Sequence, residues 1–299
     1  MGTPAFAVPT LDKLVEAGHE IAAVFSQPDR PKGRGQQEAM PPVKEAALRL
    51  GLPVQQPERV RVPEVVARLA AMAPHAMVVV GYGQIIPQAI LDIAPHGIFN
   101  VHASLLPKYR GAAPIQWAIA NGETRTGVTV MKIDAGLDTG DMLLKWATEI
   151  GPEETAPELS LRLAEAGAVL MVEALTRLDT LRPEPQDHTQ ASWAPVIKKE
   201  DGHIPWTCSA REIVNRMRGF TPWPGCYGFV RGLRLHVWKA VVNDRALTPG
   251  QLLAEGRRLF AGCGQGSLEL LEVQLEGKKR MDVSSFLNGF NLQAGEVVQ

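Results

Sequence analysis

The sequence predicts an α/β chain in two parts, a parallel sheet covered by helices and then a small antiparallel β barrel. Three observations carry this. Up to residue 181, short apolar runs alternate with stretches of helical spacing. Residues 182–200, RPEPQDHTQASWAPVIKKE, are proline-bearing and polar without apolar period, as a linker would be. From residue 201 onward, alternating strand patterns separated by glycine-rich turns take over. A chain of 299 residues, 45% hydrophobic, has the length for two such domains, placed at 1–181 and 201–299.

Taken in order, residues 9–17 predict a helix, 21–25 (IAAVF) a buried strand and 42–50 a second helix. Strands are expected at 76–80 and 97–101. Pro114 suits the first turn of a helix through Ala120, and Gly122 is placed to end it. VTVMKI, residues 128–133, alternates as a strand. Thr155 and Glu158 have capping-box spacing at the start of a long helix whose apolar positions include Leu159, Leu163, Leu170 and Leu178. In the second part, residues 233–242, 257–263 and 267–275 read as strands.

The chemistry concentrates in residues 99–142. Asn100 and His102 are two apart in the apolar GIFNV run, so in a strand their side chains share a face. Asp138 follows the 128–133 strand in a turn-rich DAGLDTGD loop that can return a carboxylate to the same place. An amide, an imidazole and a carboxylate suit a reaction through a tetrahedral oxyanion. Asp134 could instead support the turn and Asp141 cap it. His19, His75, His96, His188, His203 and His236 have no comparable neighbours and read as structural or surface residues. Gly33, Gly35 and the GCGQG at 262–266 lack dinucleotide-fingerprint spacing and read as turn formers. No sequence pattern argues for a metal or a nucleoside triphosphate.

Residues 28–42, PDRPKGRGQQEAMPP, form a long basic excursion between a strand and a helix, the kind of loop that is often functional. Arg30, Lys32 and Arg34 supply its charge.

VHASLLPKYRGAAPIQWAI followed by GVTVMKIDAGLDTGDML resembles the 10-formyltetrahydrofolate-dependent formyltransferases, and within them the branch acting on methionyl-tRNA. GTPAFAVPTL, FSQPDRPKGRG, VVVGYGQIIP, KKEDGHIPW and FTPWPGCY agree in order, so the resemblance covers nearly the whole chain. It implies a Rossmann-like formyltransferase domain, an OB-like tRNA-binding domain, and Asn100, His102 and Asp138 as catalytic residues. It implies 10-formyltetrahydrofolate as formyl donor, lying beside Val80, Gly81, Tyr82, Gly83, Gln84, Ile85 and Ile86. The donor is further bordered by Ser104, Leu105, Leu106 and Pro107, and by Leu137, Thr139 and Gly140. Methionyl initiator tRNA is the implied partner, with Arg30, Lys32 and Arg34 entering its acceptor-stem region; Gln36, Gln37 and Glu38 stand where relatives commonly carry lysine. The resemblance also implies a short apolar strand ahead of the Gly2-Thr3-Pro4 turn. Met1 stands there directly, so the first strand is expected to be missing and Met1 to be an internal methionine of a shortened chain.

Composition sets the background. Net charge is −1, with 12 Lys+Arg against 9 Asp+Glu in residues 201–299 and 19 against 23 in residues 1–200, a modest C-terminal basic excess. Three cysteines, odd in number and widely spaced, read as free thiols of a reducing, cytoplasmic setting. No apolar run reaches transmembrane length and no signal peptide is visible. A monomer is expected. An amino-sugar formyltransferase should lack the QPDRPKGRG loop, a formylfolate hydrolase should lack the barrel, and a non-catalytic RNA-binding protein would not need Asn100, His102 and Asp138 together.

Overall fold

The computed structural model describes residues 1–32 and 37–299, and the chain separates into two compact units. The first comprises Met1–Pro114, Arg125–Glu149 and Ser160–Ala194; the second comprises Ile115–Thr124, Ile150–Leu159 and Pro195–Gln299. The division at residue 194 falls inside the stretch read as a linker. The reason is hydrogen bonding: within the first unit Glu184 and Met142 exchange backbone bonds, and Trp193–Ala194 pairs with Arg110–Gly111.

The elements run α1 (Val8–Glu16), β1 (Val24–Phe25), β2 (Arg30–Lys32), β3 (Gln37–Ala39), α2 (Pro42–Arg49) and β4 (Val54–Gln55). Next come α3 (Pro63–Ala71), β5 (Met77–Val79), α4 (Gln88–Leu91), β6 (Ile98–His102), β7 (Arg110–Gly111) and α5 (Pro114–Ala120). Then follow β8 (Arg125–Lys132), β9 (Met142–Glu149), α6 (Ala156–Thr176) and β10 (Trp193–Ala194). The main sheet has the order β5-β6-β8-β9, with β5 and β6 parallel and the two later pairs antiparallel. Parallel pairing holds also for β1 with β4. The connection from β8 to β9 is a loop without a crossover helix, which allows only an antiparallel return.

The strand expected at 21–25 shrinks to Val24 and Phe25. They pair with β4 on one side, while residues 21–23 face a cavity of 520 Å³ and have no ladder there. Across that cavity lie Met77 and Val78, with Leu11, Leu14, Leu69 and Met72 also lining it. Met1 and Gly2 join the two edges at one end: Gly2 N–H donates to Phe25 O at 2.9 Å, and Val80 N–H donates to Met1 O at 2.9 Å.

α6 begins as its sequence implies. The Glu158 carboxylate accepts from Thr155 N–H at 2.8 Å and from Thr155 Oγ1 at 2.7 Å. Leu159, Leu163 and Leu170 are buried, whereas Leu178 lies beyond the helix end. A methyl group on Gly167 would sit 2.4 Å from Val101 Cγ1, so this glycine lets α6 lie directly on β6.

In the second unit α7 (Ala210–Gly219) opens on a reciprocal Ser209–Glu212 capping box. β11 (Cys226–Val230), β12 (Leu233–Asn243), β13 (Leu252–Glu255), β14 (Arg258–Gly262), β15 (Ser267–Leu275) and β16 (Met281–Asp282) form one antiparallel sheet, followed by α8 (Val283–Gly289). Its path runs β11-β12-β15-β14-β13, and the C-terminal residues close it into the small OB-like barrel expected. Gln299 exchanges backbone bonds with Phe229 of β11, while Val298 N–H donates to Gly250 O beside β13. Leu235, Val237, Leu259, Leu268, Leu270 and Val273 fill the inside. Cys226 and Cys263 are free and buried; burial pushes their thiols up, to about 12 and about 11, away from thiolate chemistry. Among the described residues no helix is long and apolar enough to cross a membrane.

Candidate active site

β6 is buried along most of its length, with Phe99 and Val101 in the core, and it delivers Asn100 and His102 at its carboxyl end. His102 is 5% exposed. Its Nε2 lies 2.8 Å from the Tyr109 carbonyl oxygen. A carbonyl only accepts, so Nε2 carries the proton there. Nδ1 lies 3.6 Å from Asp138 Oδ2, close enough for charge attraction and too far for a good hydrogen bond. Asn100 pairs in the sheet with Val79 and Met131 and is half-buried. Among the described residues no side chain or backbone group occupies its amide.

Asp138 reaches this place from a loop built by local hydrogen bonds. Asp134 Oδ1 accepts from Gly136 N–H at 3.0 Å and from Thr139 Oγ1 at 2.7 Å, so Asp134 supports the turn. Asp141 contributes its backbone carbonyl, which accepts from Lys132 N–H. Asp138 itself has φ +53°, the left-handed region that few non-glycine residues adopt. Its Oδ2 accepts from Gly111 N–H at 2.8 Å. Gly111 must be glycine: its φ is +118°, and a Cβ would lie 2.6 Å from Ala194 O.

The segments expected to border a folate divide by face. After β5, Val80 and Tyr82 are buried while Gly81, Gly83 and Ile85 are exposed, Ile85 at 90%. The side chains of Val80 and Tyr82 are packed inside the protein, and burial pushes the Tyr82 phenol up to about 12. Ile86 packs against the core around β5. Gln84 is spent on its own chain, accepting from Val60 N–H and donating to Pro57 O. Ser104 Oγ donates to Lys108 O, and Leu106 packs with Met131 and Met142. Leu105 and Pro107 are half-buried, and Leu137 is 60% exposed. Gly140 O accepts from Gln186 Nε2. What remains open is backbone at Gly81 and Gly83 together with the Ile85 and Leu137 side chains.

Within the basic excursion, read from sequence as a loop, β2 and β3 form an antiparallel ribbon with Arg30 opposite Ala39. Arg30 is exposed, with Nη2 3.4 Å from Glu58 Oε2. Lys32 ends β2, and Arg34 lies outside the described residues.

Sequence reasoning missed the buried network behind Asp138. Arg110, 3% exposed, donates through Nε and Nη2 to Gln186 Oε1 at 3.0 and 2.6 Å. Its Nη2 also lies 3.0 Å from His188 Nδ1. One signal was there to find: a lone arginine inside the otherwise small and apolar YRGAAP run.

Residues 1–175 match the family model described as formyl transferase, and residues 196–291 match that of the formyl transferase C-terminal domain. The chain belongs to the formyl transferase family. Among its relatives is the methionyl-tRNA formyltransferase of Solibacter usitatus, 60% identical over 99% of this chain and 96% of that protein. That of Koribacter versatilis is 57% identical over 97% of this chain and 94% of that protein. In fold the chain is similar to WlaRD, a sugar 3N-formyl transferase solved in the presence of dTDP and 5-N-formyl-THF, with TM-score 0.68 and 19% identity. That match covers 93% of this chain and 97% of WlaRD.

Proposed function

We propose that this chain transfers the formyl group of 10-formyltetrahydrofolate to the α-amine of methionine esterified to initiator tRNA. The observation that carries this reading is the approach of His102 Nδ1 to Asp138 Oδ2, 3.6 Å, beside an unengaged Asn100 amide. It occurs in a chain half or more identical to several methionyl-tRNA formyltransferases. The sugar formyltransferases share the fold at 18–19% identity, and the QPDRPKGRG loop favours tRNA over a sugar nucleotide.

In this mechanism the neutral amine attacks the formyl carbon, forming the new C–N bond and placing negative charge on the formyl oxygen. Asn100 donates to that oxyanion. His102 already gives Nε2–H to Tyr109 O, so Nδ1–H is the imidazole donor left for the oxyanion. Asp138 supports the resulting imidazolium and holds it toward the site. The bond to the donor's N10 then breaks, and the proton lost from the attacking nitrogen ends on N10, with Asp138 and His102 as relay. The donor lies along Gly81, Gly83, Ile85 and the Leu137–Gly140 loop, at the carboxyl ends of β5 and β6, where open α/β sheets bind ligands. Every residue given a role comes from one chain, so a monomer suffices.

The direct test is formation of formylmethionyl-tRNA from charged initiator tRNA and 10-formyltetrahydrofolate by purified protein. Absence of product, with formylation of an amino-sugar nucleotide instead, would reassign the substrate. Replacing Arg30, Lys32 and Arg34 together by alanine is expected to weaken tRNA binding, most strongly at low salt. The slope of log K against log salt should fall by roughly 0.7 to 0.9 for each phosphate no longer neutralised. Donor affinity should stay the same, because no folate-bordering segment is touched. An unchanged slope would show that the loop does not engage nucleic acid.

A further inference from the structure

Gln186 lies in the polar stretch that sequence reads as a passive linker, yet it is 6% exposed and engaged at both ends. Its Oε1 accepts twice from Arg110, and its Nε2 donates to Asp138 O at 2.9 Å and to Gly140 O at 2.7 Å. Among the described residues no carboxylate pairs with Arg110. A guanidinium this buried must be hydrogen bonded to be tolerated, and here an amide oxygen does it.

We propose that Gln186 is a positioning residue for formyl transfer, acting through Asp138, and that Arg110 locks Gln186 in the one orientation that does this. The inference rests on the catalytic role proposed for Asp138. A primary amide can be held either way round. The Arg110 fork only donates, so the amide oxygen must face it and the NH₂ group must face the Asp138–Gly140 backbone. The neighbouring residue completes the grip, since Gly111 N–H holds the Asp138 carboxylate at 2.8 Å. Backbone and side chain of Asp138 are therefore fixed from the same short strand, β7 directly and through Gln186. That strand is itself anchored by the linker: Arg110 N–H donates to Ser192 O and Tyr109 N–H donates to Ser192 Oγ. This restraint matters because Asp138 sits at φ +53°, a conformation its own residue type does not favour. Tyr109, whose carbonyl accepts from His102 Nε2–H, hangs from the same anchor.

The test is Gln186→Glu, nearly isosteric. A carboxylate keeps the acceptor for Arg110, and strengthens it by charge, but loses both donors and sets an oxygen against two carbonyls. The charged pairing with Arg110 offsets much of the loss of the two donor bonds, so the melting temperature should stay within about 5 °C of the parent's. Its single-turnover rate should fall about 10- to 100-fold, as for a displacement of order 1 Å at a reacting group. KM for tRNA and for the donor should stay within about threefold, and in an Asp138→Ala background the substitution should cost nothing further. Amide exchange of Gly111, whose N–H is held by Asp138, should quicken at least about tenfold while the β8 interior is unchanged. That exchange readout holds even if the parent proves inactive on methionyl-tRNA, a result that would count against the functional reading alone. An unaltered Gly111 exchange rate, or an equal loss of rate with and without the Asp138 carboxylate, would overturn the positioning role.

Discussion

Asp138→Asn is expected to lower the single-turnover rate of formyl transfer by about 100- to 1000-fold, with tRNA affinity changed less than about threefold. The substitution keeps the shape of the side chain. One amide oxygen can still accept from Gly111 N–H, as Oδ2 does at 2.8 Å, so the loop has no reason to leave its place. The negative charge facing His102 Nδ1 across 3.6 Å is what disappears. An imidazole committed through Nε2–H to the Tyr109 carbonyl becomes a cation only by protonation at Nδ1, the edge that Asp138 faces. Without the carboxylate the neutral ring has a lone pair at that edge and repels an oxyanion. His102→Ala should cost a similar factor, and the double variant should lose much less than the product of the two, because the residues act as a unit. Rapid-quench measurement of formylmethionyl-tRNA at saturating substrates reads this directly. A rate near the parent's for Asp138→Asn would remove the carboxylate from the chemistry.

How much of this was legible in the sequence differs from element to element. Local signals carried far: proline and cap chemistry placed α2 and α6 within a residue of their observed starts, and period-two alternation located β12, β14 and β15. Asn100 and His102 were readable because a strand fixes which neighbours share a face. The length of β1 was not readable, since a ladder needs partners and residues 21–23 have none on the cavity side. Nor was the split of residues 80–86 into buried Val80 and Tyr82 and exposed Gly81, Gly83 and Ile85, because hydropathy does not say which side of a loop meets the core. The Arg110–Gln186 pair spans 76 residues and joins two unpatterned segments. No periodicity encodes such a pair. It depends on the linker returning alongside β7, which only the tertiary structure decides.

Gly140→Ala is expected to damage both stability and activity, and the reason is space rather than backbone conformation. A Cβ there would lie 1.9 Å from Lys132 O and 3.0 Å from Lys132 C, and both obstacles are backbone at the end of β8. Neither can swing aside like a side chain. The loop must retreat by about an ångström, at an overpacking cost of about 1–3 kcal/mol. Retreat also strains two hydrogen bonds that close the turn, Lys132 N–H to Asp141 O at 2.8 Å and Gln186 Nε2 to Gly140 O at 2.7 Å. Each is worth about 0.5–1.5 kcal/mol, against a domain stability of about 5–15 kcal/mol. Because the same loop carries Asp138 two residues earlier, the displacement should also lower the transfer rate on the order of 100-fold. Gly289→Ala is the control: nothing lies within 4 Å of its Cβ position, and at the end of α8 the exchange should be neutral or slightly stabilising. Denaturant midpoints and single-turnover rates of the two variants decide the matter. A Gly140→Ala protein that unfolds with its parent and transfers formyl at the parent rate would mean that the Asp138 loop does not lie against the end of β8.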